Sequence, residues 1–87
     1  MKLDTKLLKT INLLYVEDDK IIRDQTVLLF DKIFKKVYTA KDGCNGLDIY
    51  KKNQDNIDIV VTDINMPEMD GVTFLRNLMR LHPMPAV

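Results

Sequence analysis

Two apolar, β-rich runs in this chain each end in acid. Leu13-Leu14-Tyr15-Val16 leads into Glu17-Asp18-Asp19, and Ile57-Asp58-Ile59-Val60-Val61-Thr62 leads into Asp63-Ile64-Asn65-Met66-Pro67. Runs this short and this apolar read as strands buried on both faces of a parallel sheet. If the two are parallel neighbours, their C-terminal ends emerge at one edge, where open α/β sheets place their ligands. Glu17, Asp18 and Asp63 then converge in one crevice. That is a costly arrangement unless a cation or a proton neutralises it.

The remaining segments alternate around these runs. Residues 1–10 read as an N-terminal extension, with 3–9 forming either a helical turn or two or an extended lead-in. The first strand covers 11–16. Asp19 stands where a helix N-cap belongs, and a helix from Lys20 to about Lys35 follows. Its predicted inward stripe is Ile22, Leu29 and Ile33, broadened by Leu28, Phe30 and Phe34. Val37-Tyr38-Thr39-Ala40 is a short β-prone run, and Asp42-Gly43 is a turn signal. A second helix spans 44–53 with Leu47 and either Tyr50 or Ile49 inward. Gly46 inside it costs roughly 1 kcal/mol against Ala, which close packing on a strand would offset. The third strand is 57–62. A loop over 63–71 ends in Asp70-Gly71, and a last helix covers 72–81 with Phe74, Leu75, Leu78 and Met79 on its apolar side. The order β-α-β-α-β-α implies right-handed crossovers and a parallel sheet with helices on both faces.

Composition narrows the function classes. Thirteen Lys+Arg balance thirteen Asp+Glu, so net charge gives no reason to expect direct nucleic-acid or membrane binding. The acid is eleven Asp against two Glu, which suits caps, turns and ligands better than helix interiors. No apolar stretch approaches the roughly 18 residues of a membrane span, and the first ten residues lack the apolar core of a signal peptide. The lone Cys44 rules out an internal disulfide and fits a reducing compartment, so the expected location is cytoplasmic. His82 reads as a surface residue, and Lys35-Lys36 and Lys51-Lys52 as solvated helix faces.

Each acid has two readings. Asp63 is either a carboxylate capping the loop behind it or a nucleophile and metal ligand. Glu17-Asp18-Asp19 is either a solvated helix start or, with Asp19 spent on the cap, a pair facing the crevice. Mg²⁺ takes oxygen ligands and keeps several waters, so one or two carboxylates and a carbonyl suffice to hold it. Such a metal would screen a phosphoryl group from the Asp63 anion, and Asp carboxylates do form acyl phosphates. In Met66-Pro67-Glu68-Met69-Asp70-Gly71, Pro67 and the Asp70-Gly71 turn read as a rigid support for Asp63 and the Asn65 carbonyl.

These residues resemble a known family. Leu14-Tyr15-Val16-Glu17-Asp18-Asp19, Thr39-Ala40-Lys41-Asp42-Gly43 and Val61-Thr62-Asp63-Ile64-Asn65-Met66-Pro67-Glu68-Met69-Asp70-Gly71 are similar to the receiver domain of bacterial two-component response regulators. The resemblance runs from about Ile11 to the C-terminus. It implies a flavodoxin-like parallel sheet of which the first three βα units are present, making 11–87 a partial receiver domain. It further implies that Asp63 accepts a phosphoryl group from a sensor histidine kinase. Asp18 would bind Mg²⁺ directly, Glu17 nearby through water, and Asn65 through its backbone carbonyl, with Asp63 completing the metal set. Phosphorylation would then bias a two-state element towards an effector.

The family's switch Ser/Thr and its Lys, on later strands, have no counterpart before Val87. The expectation is therefore a switch-incompetent fragment, with His82 to Val87 a loop and the start of a fourth strand. The unpaired edge of the third strand would favour a homodimer. Two rivals stand beside this. One is a receiver-like interaction remnant that never takes phosphate. The other is a Mg²⁺-dependent phosphatase of the haloacid dehalogenase type, which wants an Asp two residues after its nucleophile, where this chain has Asn65.

Overall fold

The computed structural model describes residues 5–63, 72–74 and 76–77. Three parallel strands, β1 (Asn12–Val16), β2 (Lys36–Ala40) and β3 (Ile59–Thr62), form a sheet in the order β2-β1-β3. Flanked on both sides, β1 is buried from Leu13 to Val16, as a run without polar alternation requires. The register pairs Val16 with Ala40 on one side and with Thr62 on the other. All three strands therefore finish level, and the residues that follow them leave from one edge.

The helices are α1 (Thr5–Leu8), α2 (Lys20–Ile33) and α3 (Gly43–Asn53), and residues 72–74 and 76–77 are also helical. Successive β-strand side chains point to opposite faces. Leu14, Val16, Ala40 and Val60 pack on one face with Tyr50 of α3, Ile57 and Phe74. Gly46 is needed there: a Cβ on it would sit 2.9 Å from the Phe74 ring and 3.0 Å from Val16 Cγ2. Close packing does offset the glycine's poor propensity, as its position predicted. Tyr50 is the inward residue, with Leu47 and Ile49 half-buried beside it. On the opposite face Tyr15 meets Phe30 of α2 edge to face, ring centroids 5.3 Å apart, and Phe30 meets Phe34 at 5.6 Å.

Several boundaries differ from the sequence reading, each for a local reason. In the described part of the N-terminal segment, Thr5–Leu8 form a helical turn, followed by Thr10 and Ile11 N–H groups donating to the Leu7 and Leu8 carbonyls. Helix α2 stops at Ile33 because Phe34 is extended and the Lys35 N–H donates to Ile11 O, which leads the chain into β2. Strand β3 starts at Ile59 rather than 57. The Ile57 N–H is held by Asn53 O at the end of α3, and Asp58 makes the first backbone–backbone hydrogen bond to β1. Its N–H donates to Asn12 O, and its carboxylate accepts the Asn12 N–H at 2.9 Å.

The inward stripe predicted for α2 is a correction. Ile22, Leu28 and Leu29 are 48%, 69% and 57% exposed, with Ile21 beside them at 70%. The side turned to the sheet carries Arg23, Thr26, Val27, Phe30 and Ile33, all only half-buried. Apolar residues lie on two sides of this helix, so periodicity alone did not choose between them. The Tyr15–Phe30 contact fixes the rotation. The predicted helix 72–81 is described only at 72–74 and 76–77, where Phe74 is buried. Leu75, Leu78, Met79, the 64–71 loop with Asn65, and 82–87 lie outside the described residues. Among the described residues no helix is long and apolar enough to cross a membrane.

Candidate functional site

The level strand ends produce the site. Asp63 follows β3, and its N–H donates to Val16 O at 3.2 Å, extending the β1–β3 ladder by one bond. Glu17 follows β1, and its N–H donates to Ala40 O at 3.1 Å, doing the same towards β2. Glu17, Asp18 and Asp63 each present a carboxylate oxygen, and these oxygens lie within 4.8 Å of one another. Glu17 is buried, Asp63 half-buried and Asp18 exposed. The convergence inferred from two acid-ended runs is therefore present in the fold.

Asp19 does a different job. Its Oδ1 accepts the Ile21 and Ile22 N–H groups at 2.9 and 3.1 Å, the N-cap of α2. Asp42 caps α3 in the same way, accepting the Asn45 N–H at 2.7 Å, while Asn45 Oδ1 takes the Lys41 N–H in return. The sequence reading took Asp42 for a turn residue only. The D-G-x-N spacing carries the cap signal.

Burial holds the Glu17 carboxyl above its ordinary range. The Asp18 side chain and the negative charge of Asp63 push it the same way, against a lowering hydrogen bond from the Asp19 N–H. A group so placed gains most from a nearby cation. Hard oxygen donors in this number suit a divalent ion such as Mg²⁺, with water filling the rest of its shell. Three carboxylate oxygens meeting at one edge, one of them on the buried Glu17, are the observation that the residues present fit such an ion.

One residue here had no sequence signal. Arg23, one turn into α2, donates from Nη1 to the Glu17 carbonyl at 2.7 Å. Asn65 lies outside the described residues.

Residues 13–87 match the family model of the response regulator receiver domain. The protein-glutamate methylesterase/protein-glutamine glutaminase of Hydrogenovibrio crunogenus is 43% identical over 79 residues, covering 88% of this chain and 20% of that protein. The sensor kinase CckA of Brucella abortus is 38% identical over 79 residues, covering 91% of this chain and 8% of that protein. The chain thus spans a fifth or less of either relative. Among solved structures, the CheX-CheY-BeF3-Mg²⁺ complex of Borrelia burgdorferi superposes with a TM-score of 0.77 at 39% identity, covering 84% of this chain and 55% of that one. A receiver domain protein from Clostridium thermocellum gives 0.76 at 31% identity, covering 84% and 58%.

Proposed function

The chain belongs to the response regulator receiver family, and from that premise we propose that Asp63 is the phosphoacceptor of a two-component relay. The observation that carries the reading is the meeting of the Glu17, Asp18 and Asp63 carboxylates at the level ends of β1 and β3. In the transfer, an Asp63 carboxylate oxygen attacks the phosphorus of a phosphohistidine on a sensor histidine kinase. A P–O bond forms, the P–N bond breaks, and the histidine leaves with the electron pair. The product is an acyl phosphate on Asp63.

Mg²⁺, when bound, supplies the positive charge that lets one anion approach another. Asp18, Asp63 and the Asn65 carbonyl would hold it, with Glu17 acting through water. The chain's own part is to fix these oxygens before the donor arrives. The backbone bonds from Asp63 to Val16 and from Glu17 to Ala40 do so on the described side of the site. The module is regulatory rather than a metabolic enzyme, and a cytoplasmic location goes with a kinase partner there. Self-association belongs to the same reading: among the described residues the outer edge of β3 has no strand partner, and a second copy would pair there.

The test is chemical. The protein incubated with acetyl phosphate and Mg²⁺ should gain one hydroxylamine-labile phosphate, mapped to Asp63 by mass spectrometry and absent from Asp63→Asn. Labelling that persists in that variant contradicts the assignment. Mg²⁺ binding without any labelling points to an interaction module instead.

A further inference from the structure

Arg23 and the acid edge are joined by a bond that capping does not require. Asp19 already satisfies the first N–H groups of α2, through Ile21 and Ile22. The half-buried Arg23 side chain nevertheless turns back along the helix, and its Nη1 donates to Glu17 O at 2.7 Å. The Arg23 N–H donates to Asp19 O at 2.8 Å, and the Asp19 N–H donates to the Glu17 carboxylate at 3.2 Å. Glu17, Asp19 and Arg23 therefore close a ring of three hydrogen bonds around Asp18.

The carbonyl that Arg23 grips matters more than the grip. The Glu17 carbonyl and the Asp18 N–H belong to one planar peptide unit. On its N-terminal side Glu17 is already tied to the sheet by its N–H on Ala40 O. Fixing its carbonyl as well sets the plane from which Asp18 departs, and so the direction in which the exposed Asp18 carboxylate is presented. We propose that Arg23 is a positioning residue for Asp18, holding the Glu17–Asp18 peptide in the orientation that lets Asp18 share a divalent cation with Asp63. This rests on the phosphoacceptor reading above.

The sign of one measurement separates positioning from charge. A cation near an acid cluster competes with Mg²⁺, so deleting it for its charge alone tightens Mg²⁺ binding. Deleting a support for a ligand weakens binding, by roughly tenfold for residues that orient metal ligands. Mg²⁺ titration calorimetry on wild type, Arg23→Met and Arg23→Lys reads this directly, with thermal melts in Mg²⁺-free buffer to establish that each is folded. The expected result is about tenfold weaker binding for Arg23→Met. Arg23→Lys, which keeps the charge and one donor nitrogen without the planar fork, should lose less, about threefold. The rate of labelling by acetyl phosphate should return to the wild-type value at saturating Mg²⁺, since the ligand geometry is then restored by the ion.

Unchanged or tighter binding in Arg23→Met overturns the proposal, as does a labelling rate that stays low at saturating Mg²⁺. If Arg23→Met does not fold, Arg23→Lys decides alone, and binding equal to wild type overturns it. A wild-type protein that binds no Mg²⁺ overturns the phosphoacceptor reading itself, and the proposal with it.

Discussion

Helices α2 and α3 lie on opposite faces of the same sheet but are seated very differently. Helix α3 sinks Gly43, Gly46 and Tyr50 out of solvent and lets the Phe74 ring close over Gly46. Helix α2 buries no residue completely, touches the sheet through Phe30, and leaves Ile21, Ile22, Leu28 and Leu29 outward. Apolar content does not explain the difference, since α2 carries more large aliphatic side chains than α3. Small residues do: glycine lets α3 approach β1 closely, whereas α2 stands off on an aromatic ring. Stability should therefore be concentrated on the α3 face, and the α2 face should tolerate change.

The largest expected effect tests the α3 side. Tyr50→Ala empties a fully enclosed ring site and should cost about 3–5 kcal/mol in urea denaturation, enough to unfold much of so small a domain. On the α2 side, Phe30→Ala removes a half-buried ring and should cost about 2 kcal/mol. Equal losses at the two positions would break the comparison. Asp19→Ala removes the α2 cap and should cost about 1 kcal/mol by the same measurement. Replacing Ile21 or Leu28 with Gln should stay within about 0.5 kcal/mol. A loss well beyond that would show the outward stripe to be covered.

The acid edge behaves unlike either face, because the buried Glu17 carboxylate opposes folding in the absence of a cation. Glu17 titrates above its ordinary value of 4.5 in the folded chain. Just above that pH the folded state therefore binds more protons than the unfolded one, and the Glu17 contribution to stability falls as pH rises. In Mg²⁺-free buffer, the stability of wild type relative to Glu17→Gln should decline from pH 5 towards neutrality. A relative stability that climbs over that range would contradict the burial argument.

How far the sequence foretold this differs by region for physical reasons. The two acid-ended runs located β1, β3 and the site edge, because an apolar run between polar breaks has few places to go in an α/β sheet. Asp19 was readable as a cap, and Gly46 as a close approach. The facing side of α2 was not, since apolar residues at both Ile22/Leu29 and Val27/Phe30 satisfy a helical period. The start of β3 was obscured because the Asp58 side chain substitutes for a backbone acceptor opposite Asn12. Arg23 left no trace in sequence, because its partner is a backbone carbonyl six residues away.

The central claim is that adjacent acids at one strand end have different jobs, Asp18 in the cation site and Asp19 in the helix cap. Mg²⁺ titration calorimetry of wild type, Asp18→Asn and Asp19→Asn tests it most directly. Asn keeps an oxygen able to cap a helix, so both variants should fold. The account predicts a single Mg²⁺ site in wild type, its loss in Asp18→Asn, and near wild-type affinity in Asp19→Asn. Equal weakening in the two variants, or unaltered binding in Asp18→Asn, would contradict it.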